Sequence, residues 1–411
     1  MKILVLAVAF APEITALAPY NTDLCTHLAR RGHSVSAVVG FPHYPQWRKA
    51  KQYAGKWYAE ERYEGVRLIR VPQYIPREPT SLRRIAYDTS FSLSALTASL
   101  TKVPRPDLIV AMCSPLQLGV VGATLSRRWR APLIFHVQDL LPEGAIALGM
   151  LTDHRVIAIA NRMADYSYRH AAMVTAIGPG MVDALLKRGV PSTKVRYLPN
   201  WVDTRWIYPA PRMSPWRRRI GVDEDTFLIL YVGNLGYKQQ MSVAVEAARL
   251  LRHRRDLAFV IVGDGPERPR IAELINRYRL KNIQLLGVQP REDLNPMLAA
   301  SDLHLLHQRK EVVDMVAPSK LLTYSASGRP ILFAGVTESE GARFVVAGKC
   351  GVIITPEDPG QIAQSIMELQ ADPAARLRMG QNARSYVEAH FTRDRILAFT
   401  DTILEEAHTT R

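Results

Sequence analysis

Short apolar runs alternate with segments of helical periodicity along most of the chain, and this alternation constrains the fold more than any other feature. The first half contains the runs KILVLAVAF, SVSAVVG, DLIVAMC, APLIFHV and AAMVTAI, and a helix is predicted around residues 20–31. Continuous apolar runs of this length are typical of strands that are buried on both faces. Strand, helix and strand in succession form right-handed βαβ units, so the pattern predicts parallel sheets.

The alternation is interrupted once, and the interruption divides the chain. Residues 204–220, TRWIYPAPRMSPWRRRI, contain three prolines and a basic run and follow no period. Strand-like runs then resume at FLILYVG and continue to GVIIT. We predict an α/β fold of two Rossmann-like parallel-sheet domains that face a cleft, over residues 1–205 and 206–385, with a final helix over residues 386–411 that returns to the N-terminal domain. Ligands are expected at the carboxyl ends of the strands.

Size and composition narrow the classes of function. The 411 residues exceed what one ordinary core requires, and no stretch reaches the roughly 18 consecutive apolar residues of a membrane-spanning helix. The N-terminal run reads as a buried strand that ends at Pro12 rather than as a signal peptide. Three widely spaced cysteines indicate a reducing cytoplasm rather than a disulfide framework. The formal charge of +15 indicates an anionic partner: nucleic acid, a membrane surface or a phosphorylated substrate.

Two glycine-bearing loops of the second half, YVGNLGYKQQ and VGDGPE, each follow a strand and precede a helix. Their candidate ligand-binding residues are Gly233, Asn234, Lys238, Gly263, Asp264 and Gly265. Either loop alone is explained by an ordinary strand-to-helix turn, but two together favour a nucleotide-diphosphate site. Neither has the spacing of a dinucleotide fold or a Walker sequence, which disfavours hydride transfer and NTP hydrolysis.

A third segment of the second half, DMVAPSKLLTYSASGRPI, places Ser319 and Lys320 at a predicted helix start. Such a pair can bind an anion or sugar hydroxyls. The alternative is that Ser319 only caps the helix and that Leu321, Leu322 and Tyr324 belong to the core.

Carboxylates in two segments are candidates for chemistry. In FHVQDLLPEGAIALGML, Gln138, Asp139 and Glu143 follow a buried strand, so Asp139 is the candidate catalytic residue, with capping of the next turn as the alternative. In VDEDTF, Asp223 and Asp225 precede a strand instead of following it. We therefore predict no metal ion and no other cofactor.

Aromatic and basic side chains interleave in HYPQWRKAKQYAGKWY, residues 43–58. This composition suits nucleic-acid bases or the headgroup layer of an anionic membrane. The candidate membrane-side residues are Trp47, Arg48, Lys49, Lys51, Lys56 and Trp57. Farther along, one helical stripe is formed by Leu82, Ile85, Leu93, Leu96 and Leu100. We predict that this stripe packs in the domain core, with membrane docking as the alternative.

Seven segments resemble, in order, the motifs of the family 4 retaining glycosyltransferases, which have the two-Rossmann GT-B fold. They are APEITALAPYNTDLCTHLARRGHSV, FPHYPQW, QDLLPEGAIALGML, YLPNWVD, GNLGYKQ, VGDGPE and VAPSKLL. The resemblance runs nearly end to end and is strongest to the branch of colanic acid and related exopolysaccharide and O-antigen transferases.

The resemblance implies a function for each half. A sugar would move, with retention and without a metal ion, from a nucleotide diphosphate held by the C-terminal domain to a lipid-linked acceptor such as a polyprenyl-diphosphate sugar. The protein would be cytoplasmic, peripherally associated with the anionic inner face of the cell membrane, and would bind no nucleic acid. Lys238 takes the place of the diphosphate-binding lysine, and the backbone near Gly287 and Val288 would face the base. Ala16 and Tyr20 lie on the acceptor side.

Departures from the family pattern concern three places. The glutamate pair of many members is Met315 and Thr323 here, so Ser319 and Lys320 are expected to take over part of the donor contact. The glycine-rich N-terminal loop reads TALAP, and Gln138 stands where histidine often precedes the aspartate. Two alternatives stay open: a nucleotide-sugar 2-epimerase of the same fold, and a basic nucleic-acid-binding α/β protein.

Overall fold

The computed structural model describes residues 1–14, 17–44, 46–78, 80–313 and 319–409. The chain divides into two compact units, Met1–Pro199 with Ile396–Arg411, and Asn200–Arg395. Each unit is a layered α/β structure around a sheet dominated by parallel strands. The predicted α/β class with two such sheets is therefore confirmed.

The sheet of the first unit has eight strands within the described residues. They are β1 Lys2–Ala7, β2 Ser34–Gly40, β3 Ala59–Tyr63, β4 Val66–Val71, β5 Leu108–Cys113, β6 Leu133–Val137, β7 Met173–Ala176 and β8 Val195–Tyr197. Their order is β3-β4-β2-β1-β5-β6-β7-β8. In the register of the central strands, Leu4 lies opposite Ser36 on one side and Ile109 on the other. The chain reverses direction across the sheet between β1 and β5, and ligands bind at such a switch point in open α/β sheets.

One edge of this sheet departs from the parallel pattern, because β3 and β4 form an antiparallel hairpin. Glu64 and Gly65 form its two-residue turn, with φ of 45° and 86°. Positive φ at both turn positions is the conformation that matches the twist of a hairpin. A short hairpin at an edge was not predicted from the apolar runs, since β3 alternates half-buried and exposed residues.

Helices cover both faces of the first sheet. They are α1 Ala18–Arg30, α2 Ser81–Lys102, α3 Gln117–Trp129, α4 Glu143–Ala147, α5 His154–His170 and α6 Pro179–Lys187. The last helix of the chain, α15, spans Arg393–Thr409 and joins this unit from Ile396 onward. Within the unit it is fastened by Asp401, whose carboxylate lies 3.0 Å from His27 and 3.1 Å from Arg31 of the segment that ends α1.

The second unit carries a sheet of six parallel strands, as far as the chain is described. They are β9 Phe227–Val232, β10 Leu257–Val262, β11 Ile283–Leu286, β12 Leu303–His307, β13 Ile331–Ala334 and β14 Gly351–Ile354. Their order is β11-β10-β9-β12-β13-β14, so the switch point lies between β9 and β12. In this register Val232 lies opposite Val262, and Val262 opposite Leu286. Three strands thus end at one level, each followed directly by a glycine.

The helices of the second unit pack on this sheet around a large apolar core. They are α7 Pro215–Arg219, α8 Ser242–Leu250, α9 Arg268–Arg277, α10 Leu294–Ala300, α11 Lys320–Ala326, α12 Glu340–Gly348, α13 Pro359–Ala371 and α14 Pro373–His390. Among the described helices of both units, none is long and apolar enough to cross a membrane.

Candidate functional site

The carboxyl ends of β9 and β10 bring the two glycine loops into direct backbone contact. Gly233 and Gly263 have φ of 149° and 147°, which side chains other than hydrogen rarely allow. A Cβ atom on Gly263 would overlap the carbonyl oxygen of Gly233. A Cβ atom on Gly265 would meet the carbonyl oxygen of Leu235. The glycines are therefore required by the close approach of the two backbones.

Hydrogen bonds fix these two loops against each other. The Gly233 N–H donates to the Val262 carbonyl at 2.9 Å, and the Leu235 N–H donates to the Asp264 carbonyl at 2.8 Å. The Arg268 guanidinium donates to the carbonyls of Gly263 and Leu286, at 2.8 and 2.9 Å. Arg268 thus ties the ends of β10 and β11 together, a role that the sequence did not reveal.

Asn234 and Lys238 extend the first loop across the switch point. Asn234 is exposed, and its carbonyl accepts a hydrogen bond of 2.6 Å from the Tyr231 hydroxyl. Lys238 is half-buried. Its backbone carbonyl accepts a hydrogen bond of 3.0 Å from the N–H of Arg309, which follows β12. The loop after β9 is therefore fastened to the segment after β12, the strand on the other side of the switch point.

Lys320, at the start of α11, lies over the first glycine. A Cβ atom on Gly233 would overlap the Lys320 side chain, so only glycine at this position leaves room for that side chain. The Lys320 Nζ lies 5.7 Å from the centroid of the Tyr231 ring. Burial and the nearby charge of Lys238 lower the pKa of Lys320 to about 8. Two neighbouring lysine side chains at the carboxyl end of a parallel sheet, one of them buried, form a site suited to an anion.

Ser319 and Thr323 accompany Lys320 on the same side of α11. Ser319 is half-buried and, within the described chain, its side chain makes no capping hydrogen bond. Ser319 stands at the N-cap position without a capping side-chain bond to any described residue, so that part of the alternative is wrong, whereas Leu321, Leu322 and Tyr324 are buried in the core as the alternative said. The Thr323 hydroxyl donates to the Lys320 carbonyl at 3.0 Å. Met315 lies outside the described residues.

Tyr324 holds α11 against the end of β9, and sequence reasoning treated it only as core. Its hydroxyl accepts the Val232 N–H at 2.9 Å and donates to the Val232 carbonyl at 3.1 Å. Its ring stacks on His304 of β12 with centroids 4.2 Å apart. Because Tyr324 is one helical turn beyond Lys320, these contacts also fix the position of Lys320 over Gly233. In the sequence, this role of Tyr324 is indicated only by its position four residues after Lys320.

Val288 follows the third strand end, one residue after Gly287. Its side chain is 48% exposed, and a Cβ atom on Gly287 would meet nothing nearby. The backbone there is open to a flat ligand. Asp264 lies in the second loop, where its carboxylate accepts the N–H of Gly265 at 2.8 Å.

In the first unit, Asp139 follows β6 and is half-buried, as the sequence predicts for a residue at a strand's carboxyl end. The preceding Gln138 is buried and donates to His136 Nε2 at 2.7 Å, while His136 Nδ1 contacts the Thr175 hydroxyl at 2.7 Å. Burial lowers the pKa of His136 to about 4, so this imidazole is neutral. Glu143 pairs with Arg188, which also bonds Asp165 at 2.9 Å.

Asp88 on α2 is a second carboxylate in this region, and sequence reasoning missed it. Burial raises the pKa of Asp88 to about 6, partly offset by Arg84. Burial raises the pKa of the Cys113 thiol at the end of β5, and the charges of Asp139 and Asp88 raise it further. The two carboxylates therefore lie near one strand end, next to the switch point of the first sheet. A single acidic residue in a helix gives no signal of this kind.

The aromatic and basic stretch of residues 43–58 is partly used by the fold. The side chain of Glu13 accepts the N–H groups of His43 and Tyr44, each at 2.8 Å, and so anchors the beginning of the stretch. The half-buried Trp47 packs edge-on against His43 and Tyr87. Lys49 lies 3.7 Å from the centroid of the Phe41 ring.

Other side chains of the same stretch are free to meet a surface. Arg48, Lys51 and Lys56 are exposed, and Trp57 is 79% exposed. Tyr20 on α1 is half-buried. Ala16 lies outside the described residues.

The stripe on α2 does not pack in the core, and that prediction was wrong. Leu82, Ile85, Leu93 and Leu100 are exposed, and Leu96 is half-buried. The buried face of α2 consists instead of Tyr87, Phe91, Ser92, Ala95, Ala98 and Ser99. Ser92 and Ser99 donate to the carbonyls four residues earlier, each at 2.7 Å, which lets two serines be buried at small cost. Hydrophobicity alone could not identify that face.

Carboxylates do not gather elsewhere in a way that suggests a metal. In the part of the chain that is described, no group of three or more His, Cys, Asp or Glu side chains could hold an ion. Asp223 and Asp225 are exposed in the turn that precedes β9.

Two Rossmann-like units, of which the second carries paired glycine loops and two lysines at its switch point, have the architecture expected of a glycosyltransferase. Matches to known families cover both units: a glycosyl transferase 4-like domain matches residues 15–201, and the glycosyl transferases group 1 family matches residues 213–386. The chain belongs to this glycosyltransferase family and is an enzyme. Both matches are to glycosyltransferases, so they favour this activity over the epimerase and nucleic-acid-binding alternatives.

Individual relatives support the same assignment. The chain is 27% identical over 405 residues to the putative colanic acid biosynthesis glycosyl transferase WcaI of Escherichia coli K12, which covers 97% of this chain and 98% of the relative. Sucrose-phosphate synthase of Thermosynechococcus elongatus has a similar fold, with a TM-score of 0.79, 18% identity and full coverage of both chains. HepE of Anabaena, solved with UDP and glucose, gives a TM-score of 0.73 at 20% identity over 98% of this chain and 99% of HepE.

Proposed function

We propose that this glycosyltransferase moves a sugar, with retention at the anomeric carbon, from a nucleotide-diphosphate donor to a lipid-linked sugar acceptor during synthesis of a surface polysaccharide. The observation that carries the proposal is the lysine pair over the glycine loops. Burial and the nearby charge of Lys238 disfavour the ammonium form of Lys320, and a diphosphate beside the two lysines would offset both effects. A relative named for colanic acid synthesis and neighbours solved with UDP support this choice of substrates.

The proposed donor contacts follow from the fact that strands β9, β10 and β11 end at the same level. The close approach of the two loops at Gly233, Gly263 and Gly265 brings the segments after β9 and β10 side by side, and the diphosphate would bind there. Asn234 and Asp264 flank them and would contact the sugar or the phosphates. Their amide and carboxylate groups would set the orientation of the donor sugar relative to the loops.

The nucleoside would lie toward β11, where the backbone beside the exposed Val288 is open. Ser319 is available for hydroxyl groups of the donor, since it does not cap α11 among the described residues. These two positions would replace the donor contacts that a glutamate pair makes in many related enzymes.

The chemistry would require charge stabilisation on the leaving diphosphate as the bond to the sugar breaks. Lys238 and Lys320 can supply it through charge-assisted hydrogen bonds, so we propose that no metal ion or other cofactor takes part. Preorganised donors of this kind commonly account for a large share of an enzyme's rate.

On the acceptor side, Asp139 is the proposed catalytic-site carboxylate, at the carboxyl end of β6. Asp88, which acts on the same Cys113 as Asp139, would orient the acceptor by accepting a hydrogen bond from one of its hydroxyl groups. Ala16 and Tyr20 belong to the segment that would complete this acceptor site.

A lipid-linked acceptor would require the enzyme to work at a membrane surface. We propose a cytoplasmic protein that associates peripherally with the anionic inner face of the cell membrane, and that does not act on nucleic acid. The exposed members of the 43–58 stretch, Arg48, Lys51, Lys56 and Trp57, have the composition of an interfacial surface. Trp47 and Lys49 contribute to that surface indirectly, because they shape the loop.

The test is a screen of nucleotide sugars by thermal shift, followed by incubation of the best donor with and without membrane extract. We expect one donor to raise the melting temperature, little turnover of that donor alone, and formation of a lipid-linked product with the donor's anomeric configuration. Conversion of the donor to an epimer without acceptor, or an inverted linkage in the product, would contradict the proposal.

A further inference from the structure

We propose that helix α2 is the primary membrane-docking element, with its exposed leucine stripe inserted among the headgroups and acyl chains of an anionic bilayer. The inference deepens the proposed function, and rests on it, because it names the surface by which the enzyme reaches a lipid-linked acceptor. It also reverses the order of importance that the sequence suggested for α2 and residues 43–58.

The stripe is unusually exposed for its composition. Leu82, Leu93 and Leu100 are 78%, 61% and 49% exposed, and Ile85 is 38% exposed. They lie within one sector of the helix circumference, over a length of about 27 Å at 1.5 Å per residue. Exposed leucines scattered singly are ordinary, but four on one face of one helix mark an interaction surface.

Charge and aromatic residues beside the stripe select an anionic bilayer as the occupant. Arg77, Arg83 and Arg84 are exposed near the beginning of α2. Glu78 offsets part of this charge through a 3.5 Å contact with Arg83. Tyr74, which is 46% exposed, is attached to the middle of the helix because its N–H donates to the Ser90 hydroxyl at 2.9 Å. Leucines bordered by arginine and tyrosine are the composition of interfacial helices.

The stretch of residues 43–58 contacts α2 at two places and so belongs to the same region of the first unit. The Arg84 guanidinium lies 5.7 Å from the Trp47 ring centroid, near the start of the helix. Lys102 Nζ lies 5.3 Å from the Tyr58 ring centroid, at the helix end. The exposed Arg48, Lys51 and Lys56 of this stretch would supply long-range attraction to an anionic surface, while the leucines would supply apolar burial.

The experiment compares two triple variants of the full chain. In the first, Leu82, Leu93 and Leu100 are changed to Gln. In the matched control, three leucines of similar exposure on other helices, Leu186, Leu250 and Leu377, are changed to Gln. Co-sedimentation is measured with phosphatidylcholine vesicles, with and without phosphatidylglycerol, at low and high salt. Melting temperature and nucleotide binding by calorimetry are measured on the same preparations.

We expect the wild type and the control to bind the phosphatidylglycerol vesicles, more weakly at high salt, and the α2 variant to lose at least about 10-fold in partitioning. Equal loss in both variants, no loss in the α2 variant, or equal binding to neutral vesicles would overturn the proposal. So would a wild-type dimer that the α2 variant alone abolishes while its vesicle binding is kept, since a second copy would then cover the stripe. Nucleotide binding should be the same in all three proteins, and its absence from all of them would count against the proposed function instead.

Discussion

The glycine loops of the second unit and the aromatic-basic stretch of the first are both strand-following segments, yet they are built in opposite ways. The glycine loops consist of backbone groups, held by backbone hydrogen bonds and covered by Lys320. The aromatic-basic stretch is held by side chains from distant positions, such as Glu13 and Tyr87. A site made of backbone tolerates almost no substitution at its glycines. A site held by side chains leaves its exposed residues free to vary.

The contrast between the two segments predicts that the most damaging substitution is at Gly263, in the glycine loops. In Gly263→Ala, the new methyl group overlaps the Gly233 carbonyl oxygen in a backbone conformation with φ of 147°. We expect a loss of about 3 to 5 kcal/mol in the free energy of unfolding, from strain and overpacking together, and loss of donor binding. Chemical denaturation and calorimetry measure both.

Gly189→Ala is the control for that substitution. Gly189 has φ of 90°, but a Cβ atom there would meet nothing within 4 Å. Its cost should be limited to backbone strain of about 1 kcal/mol. Comparable destabilisation in the two variants would mean that the approach of the two loops is not what requires Gly263.

The next largest effect is expected at the lysine pair. Lys238→Ala removes one charge-assisted contact of about 1.5 to 3 kcal/mol, so the affinity for the nucleotide sugar should fall roughly 10- to 100-fold. Lys281→Ala, an exposed lysine just before β11 in the same unit, serves as the control and should bind normally. Unchanged affinity of Lys238→Ala in a calorimetric titration would remove Lys238 from the donor site.

A smaller effect, on pH dependence, separates Lys320 from an ordinary surface lysine. Burial lowers its pKa to about 8, so its ammonium form is lost as the pH rises through that value. A bound diphosphate stabilises the ammonium form, so donor affinity should fall above about pH 8, by up to about 10-fold per pH unit, and binding there should take up a proton. Calorimetry in buffers of different ionisation enthalpy detects the uptake. Identical uptake by Lys320→Met would show that another group titrates.

No effect at all is expected from metal removal. The basic groups of the second unit can neutralise the leaving diphosphate, so turnover should persist in EDTA. Turnover that disappears in EDTA and returns with Mn²⁺ or Mg²⁺ would contradict this, and Asp223 and Asp225 would then have to be tested as ligands.

Sequence reasoning was most successful where a local rule decides the structure. Glycine directly after an apolar run predicted the loops at Gly233 and Gly263, because close backbone approach leaves a mark at a single position. The parallel sheets were likewise readable from alternation. Arg268 and Tyr324 were not foreseen, since their partners are carbonyl and N–H groups of other strands, and such contacts leave no local pattern.

The error on α2 has a physical reason of the same kind. The stripe of leucines satisfied the helical period, and period alone does not say which face is turned inward. The inward face is formed by Tyr87, Phe91 and small residues, including serines that bond their own helix. Asp88 could not be predicted from the sequence, because its proximity to Cys113 and Asp139 arises only when the sheet is assembled.

The most direct test of the central claim is a crystal structure of the chain with its nucleotide-sugar donor in the presence of EDTA. We predict that the diphosphate lies at the carboxyl ends of β9 and β10, with phosphate oxygens about 3 Å from Nζ of Lys238 and Lys320 and from backbone N–H groups of the glycine loops. A diphosphate bound away from both lysines would contradict the account.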